Sequence, residues 1–169
     1  MNSHCQCPKL QRSLIPENLQ AVAAKIIEDA AAAFQVALDL SPSAGLCHAF
    51  LALMRLLQGR AQEALELAAA ESHEVFRSVA FAMIHHSLGR ATESDSALQV
   101  LSERFGWTAA YQVAEVYAYR SEIDKAFVWL ERAYAQRDPG VTFSSSDRFL
   151  RPLHADARWQ PFQRRLGLA

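Results

Sequence analysis

The chain has few of the residues that interrupt regular structure. Its 169 residues include six glycines and six prolines, so little of it is free to be loop. β-Branched residues are scarce beside a large excess of alanine. That balance disfavours sheet and favours helices that approach closely, because alanine is the best helix former and carries the smallest side chain beyond Cβ. Three cysteines, an odd number with no C-x-x-C pair, fit a reducing compartment rather than a disulfide framework. There is no excess of basic charge: 17 basic residues oppose 18 acidic ones for a net charge of −1. A nucleic-acid binder working through a broad basic surface is therefore not expected. No apolar run approaches the roughly 18 to 20 residues that span a bilayer. The first residues, MNSHCQCPKLQRSL, lack the apolar stretch of a secretory signal peptide. A cytoplasmic protein with no membrane partner is expected.

Half of the residues are hydrophobic (51%), enough for one domain with a real core. Residues 1–15 carry no clear period and read as a disordered or loosely docked leader. Pro16-Glu17 reads as a helix start, with proline tolerated in the first turn and an acid near the positive end of the dipole. From there, apolar residues recur at helical spacing through Leu19, Val22, Ile26, Ile27, Ala30, Phe34 and Leu38 until Ser41-Pro42-Ser43 stops the run. The next helix is expected from Ser43 to Gln58, closed by Gly59. Further helices are predicted over 60–71, 74–88, 90–105, 107–120 and 123–137. Asp138-Pro139-Gly140 is a firm stop. An irregular segment follows, with one short helix around Trp159 to Leu166.

The turns repeat. Gly59-Arg60, Gly89-Arg90 and Ser121-Glu122 lie 30 and 32 residues apart. Five residues after each first turn member comes a small residue: Ala64, Ser94, Ala126. Four further on come Ala68, Leu98 and Leu130. A small residue at a fixed place after a turn is what two crossing helices need where they come closest. Repetition at this period with two helices per unit predicts an all-α fold, an α-solenoid of helix pairs. An irregular helical bundle is the alternative.

The third unit, residues 107–140, has Ala110, Ala114, Tyr117, Ala126, Leu130, Ala133 and Pro139 at or within one residue of the places where a tetratricopeptide repeat (TPR) has small, aromatic, apolar and turn residues. Phe34, Ala37 and Pro42 resemble the second half of another unit. The chain thus resembles the TPR family, with about three and a half units over residues 16–140 and a C-terminal cap over 141–169. It departs from the pattern in three ways. The first two units are short by about four residues, they lack the large aromatic near the start of the first helix, and none of the three has the family's Leu-Gly pair. The D-x-x-L-x-P-L segment from Asp147, then Trp159-Gln160-x-Phe162 and Arg165-Leu-Gly-Leu168, resembles the terminal TPR arrays of bacterial signalling proteins. Such arrays sit behind cyclase, kinase or transcription-regulator domains.

The resemblance implies a non-catalytic scaffold for protein binding, holding a peptide or helix in a concave groove. It also implies two alternatives: a regulatory C-terminal region of a larger signalling protein, or a self-associating helical-repeat protein with a second copy as partner. In the repeat register the groove-facing positions are Leu53 and Leu57, Met83 and His86, and Tyr111, Glu115 and Tyr119. The last three share a stripe at i, i+4, i+8, and aromatics with a polar tip suit a groove. Tyr111 or Tyr119 packing on the C-terminal segment is the competing reading. The family's Lys, Arg and Asn clamp for a C-terminal carboxylate is missing at the matching places, so a receptor of that kind is not expected.

Neither a cofactor nor a metal is expected. His4, Cys5 and Cys7 could begin a zinc site, but the next Cys-His pair, Cys47-His48, lies far along the chain, and a tetrahedral site needs four ligands at workable spacing. His85 and His86 point about 100° apart on a helix and do not readily share an ion. No nucleophile or phosphate-binding motif occurs. Ser144, Ser145 and Ser146 read as a helix start with a cap. Trp159 and Phe162 read as anchors sealing the last repeat. The end of the chain is locally basic: Arg137, Arg148, Arg151, Arg158, Arg164 and Arg165 oppose Asp138, Asp147 and Asp156. It reads as a solvated face, with a docking edge for an acidic partner as the sharper alternative.

Overall fold

The computed structural model describes residues 17–168. Among them are eight α-helices, two short 3-10 segments and no strand: α1 (Glu17–Leu40), α2 (Cys47–Leu57), α3 (Ala61–Ala70), α4 (Glu74–Ser87), α5 (Ala91–Phe105), α6 (Ala110–Tyr119), α7 (Ile123–Ala135) and α8 (Trp159–Leu166). The 3-10 segments, Pro139–Phe143 and Arg151–Leu153, lie between α7 and α8. Leader residues 1–15, with His4, Cys5 and Cys7, fall outside the described residues. No described helix is long and apolar enough to cross a membrane.

The start of α2 is where the expected bounds miss most. The helix begins at Cys47 instead of Ser43, because Leu46 takes a left-handed conformation (φ 64°) that no α-helix can run through. Likewise α6 starts at Ala110, after the exposed Trp107 and a non-helical Ala109 (φ −133°, ψ 36°).

The three repeated turns share one backbone geometry. Gly59, Gly89 and Ser121 all adopt positive φ, at 78°, 71° and 61°. Each donates its N–H to the carbonyl three residues back (Leu56, His86, Ala118), and the following residue donates to the carbonyl five back (Arg55, His85, Tyr117). This is a Schellman closure, which satisfies carbonyls that a helix end leaves open. The same pair of bonds recurs at Arg137 (φ 56°) after α7 and at Gly167 (φ 72°) after α8.

After the first three turns the chain reverses, so α2 packs on α3, α4 on α5 and α6 on α7. The small residues sit at the contacts: Ala64 and Ala126 are fully buried and Ser94 is 1% exposed, its hydroxyl donating to the Ala82 carbonyl at 2.7 Å. Successive pairs also touch through α3 on α4 and α5 on α6, and among the alternate helices α2 contacts α4 and α4 contacts α6. An acid ties two of the pairs together. The buried Glu71, just after α3, accepts from the Ala49 N–H in the first turn of α2 at 3.0 Å. Asp138, just after α7, accepts from the Tyr111 N–H in the first turn of α6 at 3.0 Å. In each case a carboxylate meets open donors at the positive end of a helix.

The C-terminal segment closes the third pair. Trp159 and Phe162 are buried with Ala126, Phe127, Leu130 and Ala133 of α7. Arg158 pairs with Asp124 at 2.9 Å and Arg165 with Glu131 at 2.8 Å, so two of the terminal arginines fasten α8 to α7. Ser144–Ser146 do not start a helix: Ser144 is buried and accepts from Gln163 Nε2 at 3.0 Å, while Asp147 caps a local turn by accepting from the Phe149 N–H at 2.8 Å.

Candidate functional site: an apolar cavity on the first helices

The first helices of the three pairs, α2, α4 and α6, wall a cavity of about 730 Å³. Phe50, Leu53 and Leu57 come from α2, and Phe76 and Val79 from α4. These residues face one way because they recur three or four apart on their helices. Tyr111 and Glu115 of α6 form a polar end, and Phe143, Arg148 and Phe149 of the C-terminal segment form the remaining wall. An aromatic ladder backs the apolar end. The ring of Phe34 in α1 stacks on Phe50 at 5.5 Å, and Phe50 meets Phe76 at 5.4 Å.

The polar end is a connected group of acids. The Tyr111 hydroxyl donates to Asp147 Oδ2 at 2.7 Å. Asp138 bonds the Tyr111 N–H through one oxygen and the Gly140 N–H through the other, at 3.0 and 2.9 Å. Glu115 is only partly covered as a residue, but its carboxyl is the enclosed part. Burial, then the adjacent Asp147 and Asp138 carboxylates, push that carboxyl well above the ordinary carboxylate range, so the protonated form that hydrogen-bonds Asp147 is favoured. The same burial, with Glu115 and Asp147, raises the Tyr111 phenol, which stays neutral and donates. Across the cavity wall, burial and the nearby Arg151 lower Arg148, which makes no ion pair among the described residues.

The seven predicted groove positions divide. Leu53, Leu57, Tyr111 and Glu115 line the cavity. Met83 does not reach a surface: it is fully buried, because α4 is packed between its neighbours on both sides. His86 and Tyr119 lie together outside the cavity, their rings 6.1 Å apart. Tyr119 also packs edge-on to Phe149 at 5.8 Å, and its hydroxyl meets Ser87 Oγ. The Tyr111 end of the i, i+4, i+8 stripe is thus bonded to the C-terminal segment, and the Tyr119 end packs on it. Phe50 and Phe76 were missed. Each stands three residues before a cavity residue, Leu53 or Val79, and that spacing was the available signal. Phe143, Arg148 and Phe149 had no such signal, since Phe143 ends a short 3-10 segment and the other two lie on turns.

Burial lowers both His85 and His86 from the ordinary histidine value. The two are separately engaged, His85 against Phe81 at 5.7 Å and His86 against Tyr119. Among the described residues no group of three or more histidine, cysteine, aspartate or glutamate side chains is placed to hold a metal ion. Comparison with protein-family models, curated proteins and solved structures finds no match to this chain.

Proposed function

We propose that the chain is a TPR-like α-solenoid acting as a non-catalytic protein-interaction module, and that its cavity receives apolar side chains of a partner peptide or helix. The observation that carries this reading is the shared wall: the first helix of every pair contributes to the lining of one cavity of about 730 Å³, apolar along α2 and α4. Supporting the repeat reading are the three left-handed turns at 30- and 32-residue spacing, the buried small residue five positions after each, and the contacts among α2, α4 and α6. The acids at the polar end are engaged with the chain's own donors, Tyr111, Gly140 and Phe149. They hold the C-terminal wall in place, and the apolar walls are left to meet the partner.

The test uses peptides selected from a displayed random library on the immobilised full chain, then titrated in solution. Leu57→Asp and Phe143→Ser alter a half-buried wall residue and an exposed rim residue, 66% accessible in the case of Phe143. Selected peptides should be apolar, and their affinity should fall at least tenfold in the double variant while its circular dichroism stays that of the folded chain. Peptides that bind both proteins equally would place the site elsewhere.

A further inference from the structure

Helix α1 carries two apolar stripes, and among the described residues only one of them is packed against another helix. The first is Ile27, Ala31, Phe34 and Leu38; all four are buried or half-buried, and Ala31, Phe34 and Leu38 pack with Cys47, Leu51 and Met54 of α2. The second runs Val22, Ile26, Asp29, Ala33, Val36, Leu40. Its steps are 4, 3, 4, 3 and 4 residues, every member is exposed, and Asp29 is its one polar member. Val22, Ile26, Val36 and Leu40 are 55%, 62%, 56% and 84% accessible. Alternating steps of three and four are the spacing of a coiled-coil seam, which exists to meet another helix. The seam is about 27 Å long at 1.5 Å per residue. An exposed apolar strip of that length, broken only at Asp29, marks an interaction surface.

We propose that this seam is the interface of a homodimer, in which α1 of one copy lies antiparallel on α1 of the other. Charge decides both the partner and the direction. In a parallel pair Asp29 would face its own copy across the seam, a like-charge contact. In the antiparallel pair Val22 meets Leu40 of the other copy, Ile26 meets Val36, and Asp29 meets the small Ala33, so every seam position is matched within the same sequence. Residues flanking the seam then complement each other as well, Lys25 falling opposite Asp39. Asp29 is already paired with Lys25 at 2.7 Å, so its charge has a partner when the seam closes. A single polar seam residue sets register at a cost in affinity. One helix per copy is also a small interface beside the roughly 800 Å² per partner of a standard one. The dimer is therefore reversible and concentration-dependent. This inference stands on α1 alone and does not depend on what the cavity binds.

Sedimentation velocity of the full chain over a dilution series tests it. Wild type should pass from monomer to a doubled mass as concentration rises. The Ile26→Asp, Val36→Asp variant should stay monomeric with wild-type helicity and the wild-type melting temperature at high dilution, since both positions are exposed. Asp29→Leu should lower the dissociation constant at least tenfold. In the Asp29→Leu background, where Lys25 no longer serves Asp29, Asp39→Lys should weaken the dimer several-fold, and adding Lys25→Glu should restore it. A wild type that is monomeric throughout, as it would be if residues 1–16 of the same chain covered the seam, overturns the proposal. So does a dimer that survives Ile26→Asp, Val36→Asp. Failure of Lys25→Glu to restore Asp39→Lys overturns the antiparallel pairing.

Discussion

The Tyr111 hydroxyl donates to Asp147 across 36 residues of chain, at 2.7 Å. That bond joins the start of α6 to the C-terminal segment, and it decides that Tyr111 is a wall residue held in place and not a free contact. Gly140 makes the joint close: a Cβ built on it would lie 2.6 Å from Tyr111 Cγ and Cδ1. Tyr111→Phe keeps the ring and deletes the donor to a carboxylate, which should cost about 1.5 kcal/mol. Gly140→Ala forces the ring or the turn to move and should cost roughly 2 kcal/mol. Urea unfolding midpoints measure both. If the two residues act on one joint, the double variant should lose less than the sum of the single losses.

Glu115 makes stability depend on pH in a predictable direction. Its folded carboxyl is raised above the ordinary value of 4.5 by burial and by Asp147 and Asp138, with the Tyr111 hydroxyl close by. The folded state therefore holds the proton more tightly than the unfolded state does. Glu115 costs nothing while both states are protonated, and its cost grows as pH rises from 4.5 toward the raised folded value. Glu115→Gln keeps a donor toward Asp147 and cannot ionise. Between about pH 5 and pH 8 its melting temperature should fall less than that of wild type, so the two curves diverge on the alkaline side. Parallel curves would mean that Glu115 is ionised in the fold.

Ser121 occupies a conformation that suits glycine. The equivalent turns use Gly59 and Gly89 at φ 78° and 71°, while Ser121 stands at 61° with its Cβ in place. A left-handed non-glycine residue costs about 1–2 kcal/mol, and glycine's extra unfolded entropy takes back part of that. Ser121→Gly should stabilise the chain by about 0.5 kcal/mol, and Gly89→Ala should destabilise it by about 1 kcal/mol. Thermal unfolding of the two variants checks both signs.

Much of the architecture was legible because its signals are local. The left-handed turn glycines announce where helices end, since few other residues tolerate that backbone. Ala64 and Ser94 announce close helix contacts because a larger side chain would hold the helices apart. Half-turn precision failed at Leu46, where a left-handed leucine cut the expected first turn of α2. No residue preference forecasts that conformation for leucine.

The candidate site was legible only in part. Leu53 and Leu57 have the spacing of a face, and the cavity lies on that face. Met83 has the same outward register, yet α4 is packed on both sides and Met83 is enclosed. Nothing within α4 distinguishes the two cases, because what covers a helix face lies elsewhere in the chain.

Helix periods, turn positions and the small contact residues follow from neighbours within about five positions, and the order of amino acids dictates them directly. The caps from Glu71 and Asp138, the covering of Tyr111 by Asp147 and Gly140, and the raised Glu115 carboxyl join residues 22 to 36 positions apart or depend on such a joint. Those came into being only when packed helices brought the groups together, since a hydrogen bond or a charge acts over a few ångströms and is blind to distance along the chain.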